Sequence, residues 1–119
     1  MDLKQVMDQR SFVIIGDTLN EEKFAYKIKH AMQDHGYEVQ CVGKELSSIN
    51  DTIGEIDIID LCVRADKSLA QLKECKKRFK SIVIQPGASS EELVQYLRES
   101  QIPYIDGCLL RGLNQYRAK

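Results

Sequence analysis

No pair of cysteines in this chain has CxxC spacing, and its two histidines, His30 and His35, lie five positions apart in one stretch. On a helix that separation points them to different faces, so a helical metal pair is not expected. The four cysteines, Cys41, Cys62, Cys75 and Cys108, read as reduced thiols. Cys41 and Cys62 fall in expected strands, where small buried thiols are common. No apolar run approaches the ~20 residues that cross a bilayer. The opening Met1-Asp2-Leu3-Lys4-Gln5 lacks the apolar core of a signal peptide, so the expected location is the cytoplasm. A basic excess is missing too: the formal net charge is −1, which argues against a general nucleic-acid binder. The local basic run Lys73 to Lys80 reads as the solvated face of a helix. Internal repeats, low-complexity segments and linkers are absent, so residues 1–119 are expected to form one domain. No Ser/His/Asp set or general-base histidine stands out, and neither a catalytic residue nor a metal ligand is expected.

What is present is an alternation of apolar runs and amphipathic stretches. Ser11-Phe12-Val13-Ile14-Ile15-Gly16 is apolar over strand length and stopped by glycine, as in a strand covered on both faces. After the turn-forming Asp17-Thr18-Leu19-Asn20, residues Glu21 to His35 read as a helix with Phe24, Ile28, Ala31 and Met32 on its buried face. Gly36 suits the position after its end. Tyr37 to Val42 alternates with period two and forms a second strand closed by Gly43.

A polar lead-in from Asp2 to Gln9, with Leu3, Val6 and Met7 at helical spacing, suits a short helix over the sheet edge. Lys44 to Glu55 is irregular, with room for one helical turn. Ile56 to Val63 is the third strand. Asp66 is the expected N-cap of a helix to Arg78 that buries Leu69, Leu72, Cys75 and Phe79. Ser81 to Gln85 is the fourth strand, broken by Pro86-Gly87. Ser89 and Glu92 form an expected capping box for a helix bearing Leu93, Tyr96 and Leu97. Ile102-Pro103-Tyr104-Ile105 is a short fifth strand, placed at an edge by its proline. The tail, Asp106 to Lys119, has no clear period. This order predicts an α/β fold: a doubly wound parallel sheet of five strands in the order 3-2-1-4-5, with helices on both faces.

Ligands of such sheets bind outside the carboxyl ends of the strands. Gly16 permits a tight turn and close approach of backbone N–H groups to an anion, although the full GxGxxG pattern is missing. Asp17, Glu21 and Glu22 would repel a phosphate there, and Lys23 would offset part of that. The second strand ends in Gly43-Lys44 without the acid that a nicotinamide dinucleotide site usually places there. Lys44 either meets an additional phosphate or is an exposed loop lysine. Arg64 either forks onto a phosphate or pairs with Asp66 or Asp60. Asp57 is read as capping the entrance to its strand, and a buried Asp60 would need a partner. Gln85-Pro86-Gly87 makes a rigid turn facing the ligand side. Cys108 follows a strand end and is the one candidate nucleophile, against the plainer reading of a non-catalytic thiol.

Val13-Ile14-Ile15-Gly16, Tyr26-Lys27-Ile28, Gly36-Tyr37-Glu38-Val39 and Ile56-Asp57-Ile58-Ile59-Asp60-Leu61 leading to Arg64 occur in the order and spacing of a known family. Ile84-Gln85-Pro86-Gly87 and Ile105-Asp106-Gly107-Cys108 continue the match. Over Phe12 to Leu109 the chain resembles the small single-domain CoA-binding proteins, whose Rossmann-like fold is shared with the CoA-binding domain of succinyl-CoA synthetase. The resemblance implies CoA or acyl-CoA binding without catalysis. It implies that the loop Gly16 to Thr18 and Arg64 lie at the CoA phosphates. The residues expected to hold the ligand are thus Gly16, Asp17, Thr18, Lys23, Gly43, Lys44, Arg64, Gln85 and Gly87. The expected partner is a small-molecule nucleotide, with no nucleic acid and no membrane. A regulatory domain binding a nicotinamide dinucleotide, an enzyme using Cys108, and a scaffold without ligand are the other readings.

Overall fold

The computed structural model describes residues 1–117; Ala118 and Lys119, the end of the tail, lie outside the described residues. The five strands are β1 (Ser11–Gly16), β2 (Glu38–Gly43), β3 (Ile58–Leu61), β4 (Ser81–Ile84) and β5 (Tyr104–Asp106). All pair in parallel, in the order β2-β1-β3-β4-β5. The expected class and strand number hold, but β3 sits between β1 and β4 rather than outside β2. Burial explains the difference. All four residues of β3 are buried, so they require a strand on each side, whereas Glu38 and Gln40 make β2 half polar and suited to an edge. The chain therefore reverses direction between β1 and β3, and the switch point of the sheet lies at the ends of those two strands.

Helices α1 (Leu3–Met7), α2 (Phe24–Asp34) and α5 (Leu109–Tyr116) cover one face of the sheet, around Phe12, Ile14, Ile28, Met32 and Val83. Helices α3 (Ala65–Glu74) and α4 (Glu91–Glu99) cover the other, around Val13, Ile15, Ile59, Leu61, Leu72, Leu93 and Leu97. Ile28 and Met32 are fully enclosed, each contributing roughly 1.5–3 kcal/mol. Asp57 accepts the backbone N–H groups of Arg10 and Ser11 at 3.0 Å and pairs with Lys80 at 3.2 Å, closing the strand entrances as expected. Those bonds outweigh its partial burial and hold its carboxyl below the usual range. Beyond β2 the chain folds back: Leu46 donates its N–H to Cys41 and accepts that of Gly43, along the outer side of the strand.

Several element ends depart from expectation. α2 begins at Phe24 rather than Glu21, because Asp17 and Asn20 hold residues 17–22 in turns. α3 starts at Ala65, with Arg64 rather than Asp66 at its N-cap, and ends at Glu74 instead of Arg78. There the Asn50 amide donates to the Glu74 carbonyl and accepts the Lys76 N–H, fixing the chain in a non-helical path. The second half of the basic run is therefore not a helix face, and Lys77 instead reaches the Thr52 and Gly54 carbonyls. Ser90, not Ser89, caps α4 by accepting the Leu93 N–H at 3.1 Å. The tail forms α5, which packs so closely on α1 that a Cβ at Gly112 would lie 2.6 Å from the Met7 sulfur. Arg117 ties the two helices, donating to the Met7 carbonyl, the Asp8 carboxylate and the Tyr37 hydroxyl.

Candidate functional site

Gly16 ends β1 at the switch point with no room for a side chain: a Cβ there would sit 2.8 Å from the Ala25 Cβ and 3.1 Å from the Cys62 Cβ. Its smallness thus lets α2 dock directly over the ends of β1 and β3. Gly43 lies beside it with φ +131°, and a Cβ there would meet the Gly16 carbonyl at 2.9 Å. Asp17 turns its carboxylate onto the Leu19 and Asn20 N–H groups, at 3.2 Å each. Glu21 and Glu22 fall before the first helical turn, which contains no acid, and Lys23 stands at the uncapped N-terminus of α2. Glu21 and Glu22 line neither of the clefts described below, whereas Asp17 lines one.

Thr18 is buried and faces inward, donating its hydroxyl to Glu45, which also pairs with Lys29 at 3.0 Å. Burial would raise the Glu45 carboxyl, but the bonds from Thr18 and Lys29 outweigh it and hold it below its ordinary value. Thr18 joins the loop after β1 to the loop after β2; it does not line the clefts described next.

Two clefts open at the switch point. One is lined by Lys23, Lys44, Arg64 and Lys67, with Asp17 as its single acid, and has a volume of about 510 Å³. Gly16, Gly43, Lys44 and Lys67 continue it as a groove over the end of β1. The other, of about 360 Å³, has largely apolar walls from Phe24, Val63, Pro86, Ala88 and Cys108, with Arg111 at its side. Phe24, Cys62, Val63 and Arg64 belong to both. The expected Arg64 pairing resolves in favour of Asp66, through two contacts of 3.2 Å between largely exposed side chains.

Gln85 and Gly87 form the rim of the apolar cleft. The Gln85 carbonyl accepts the Ala88 N–H at 3.0 Å, and Gly87 has φ +88°, a turn that suits proline then glycine at its centre. The partner of buried Asp60 is Gln85, whose Nε2 donates to Oδ1 at 2.9 Å; the Cys62 thiol donates to Oδ2 at 3.1 Å. Burial lifts the Asp60 carboxyl to about 6, with the Gln85 and Cys62 bonds opposing the rise. Burial and the neighbouring Asp60 raise the Cys62 thiol well above its usual range, and burial pushes Cys41 to about 11. Cys108 is half-buried and unbonded to another cysteine.

The structure therefore gathers Gly16, Asp17, Lys23, Gly43, Lys44 and Arg64 around one cleft, and Arg64, Gln85 and Gly87 around its neighbour. Phe24, Lys67 and Arg111 are lining residues that the sequence did not reveal. Phe24, expected in the core, is 69% exposed because the first turn of α2 overhangs the sheet edge. Lys67 lies in the first turn of α3, just beyond the end of β3. Arg111 sits on the unforeseen α5. Among the described residues no group of three His, Cys, Asp or Glu side chains is placed to hold a metal ion, and no helix is long and apolar enough to cross a membrane.

The fold and clefts define an open parallel α/β domain with its candidate ligand surface at the carboxyl edge of the sheet. The chain belongs to the CoA binding domain family, whose profile matches residues 10–113. It is similar in structure to a conserved hypothetical protein from Pyrococcus furiosus (25% identity, TM-score 0.75), covering 85% of this chain and 97% of that one. A hypothetical protein from Pyrococcus horikoshii shares the fold at 17% identity and TM-score 0.85, covering 98% and 91%. A Thermus thermophilus protein does so at 16% identity and TM-score 0.78, covering 98% and 99%. No curated protein matches the chain.

Proposed function

We propose that this chain binds CoA or an acyl-CoA across the carboxyl edge of its sheet and performs no chemical step itself. The observation that carries the reading is the adjacency of two clefts sharing the wall Phe24, Cys62, Val63 and Arg64, the first rich in lysine and the second mostly apolar with Arg64 and Arg111. The 3′-phospho-ADP portion of CoA is a polyanion, matched by Lys23, Lys44, Arg64 and Lys67. Its pantetheine arm is neutral and flexible, matched by the apolar walls beyond Phe24. Family membership supports the same ligand. A binding role without catalysis accords with a Cys62 thiol kept protonated by burial and with histidines that line neither cleft. The free thiols suit a reducing compartment such as the cytoplasm.

Calorimetric titration with CoA and NAD, beside thermal melts, tests the reading. CoA at ~100 times its dissociation constant should stabilise the fold by about 2.7 kcal/mol. A melt raised by NAD and unmoved by saturating CoA overturns it. Mass spectrometry of ligand released from gently purified protein gives an independent answer, and turnover of an acyl-CoA lost in Cys108→Ser would establish an enzyme instead.

A further inference from the structure

Asp60 lies wholly enclosed beneath the apolar cleft, and both of its carboxylate oxygens are occupied by donors from residues that line it. An ionised carboxylate accepts hydrogen bonds and donates none, so it must receive the NH₂ end of the Gln85 amide. The other end, Oε1, is thereby turned away from Asp60. Gln85 is only 8% exposed, and among the described residues its Oε1 has no hydrogen-bond partner and is not fully enclosed. Gln85 lines the apolar cleft, which gives its uncommitted Oε1 a place to meet a ligand. A carbonyl oxygen repels phosphate, itself an acceptor, and suits an N–H group; the cations of this cleft, Arg64 and Arg111, are separate side chains of its lining.

We propose that Asp60 positions Gln85 so that its Oε1 accepts a hydrogen bond from an amide N–H of the pantetheine arm. The inference rests on the CoA reading and adds to it the atom that selects the arm. Asp60 touches no ligand and acts through Gln85. The fixed carbonyl distinguishes an arm carrying N–H donors at the right depth from an equally long chain without them, because an acceptor that the bound ligand covers and leaves unpaired is costly.

The test compares CoA with two analogues in which each pantetheine amide is replaced in turn by an ester, which removes the N–H and keeps the chain length. In the unmodified protein one ester analogue should bind about 2- to 12-fold more weakly than CoA, the range of a neutral hydrogen bond. In Gln85→Ala that ratio should collapse to about one. In Asp60→Asn, whose side-chain amide can donate to Oε1 and allow Gln85 to turn over, it should shrink in the same way. A loss of affinity from general loosening of the site would weaken CoA and both esters alike and leave the ratio standing. Equal binding of CoA and both esters by the unmodified protein overturns this inference while leaving CoA binding intact. A ratio preserved in Asp60→Asn overturns the role of Asp60. Absence of CoA binding by the unmodified protein overturns the parent reading and this one with it. If Asp60→Asn does not fold, the unmodified protein and Gln85→Ala still decide whether Gln85 reads the amide.

Discussion

Gly16 and Ala25 stand so close that a methyl group on the glycine would come within 2.8 Å of the alanine Cβ. The start of α2, with Lys23 and Phe24, is positioned by that contact.

Gly16→Ala is accordingly expected to cost about 1–3 kcal/mol, since backbone and helix must part to admit the methyl. The shift would also move Lys23 and Phe24. Urea melts should show the stability loss, and CoA titration a fall in affinity at temperatures where the variant remains folded. Unchanged stability would mean that α2 is not seated on the β1 backbone.

Arg64→Ala separates the two roles of that side chain. Its pair with Asp66 is largely exposed, so stability should change by no more than about 1 kcal/mol. If the guanidinium meets a phosphate, CoA affinity should fall about 10- to 150-fold, corresponding to 1.5–3 kcal/mol. Calorimetry and melts on the same preparation read both numbers. Full affinity in the variant removes Arg64 from the ligand site.

Phe24→Ala should leave stability within about 0.5 kcal/mol, because the ring is mostly in solvent. CoA binding should weaken, since the ring belongs to both clefts. A core role for Phe24 would give the opposite pattern: a large stability loss with affinity preserved in the folded fraction.

Asp60 supplies a pH dependence with a definite sign. Burial raises its carboxyl to about 6 in the fold, above the ordinary aspartate range, so the folded chain binds the proton more tightly than the unfolded one. Its contribution favours folding below about pH 4 and is lost as pH rises through 6, by up to about 3 kcal/mol. Asp57 and Glu45, both lowered, act in the other direction, mainly below the unfolded carboxylate range. Urea melts at pH 7 and pH 5 should therefore show a gain of about 1 kcal/mol on acidification that Asp60→Asn lacks. Equal slopes for the two proteins would mean that Asp60 does not titrate in this window.

The runs Phe12–Ile15, Ile58–Leu61 and Ile82–Ile84, apolar apart from Asp60, made the parallel sheet legible in the sequence, because strands covered on both faces need no polar alternation. Which strand neighbours which was less legible: β3 and β2 compete for the place beside β1, and only the polar residues of β2 hinted at the outcome. Lys44 and Arg64 could be found from their places after strand ends. Phe24 could not, since its spacing to Ile28 and Met32 matches a buried face and only the overhang beyond the sheet exposes it. α5 was hidden because Gly112 occupies a core-facing position where periodicity asks for a large apolar residue. The bond from Gln85 to Asp60 joins residues 25 apart across two strands, a pairing that register determines and local sequence does not.

The backward fold at Leu46 bears on how copies of this chain meet one another. A parallel sheet ends in rows of unpaired backbone groups that invite a strand from a neighbour. Here Leu46 occupies the Cys41 carbonyl and the Gly43 N–H on the outer side of β2, while β5, the opposite border, is three residues long and follows Pro103. Neither border offers a long free row for cross-β growth. Crowded copies are thereby discouraged from joining their sheets into a fibre.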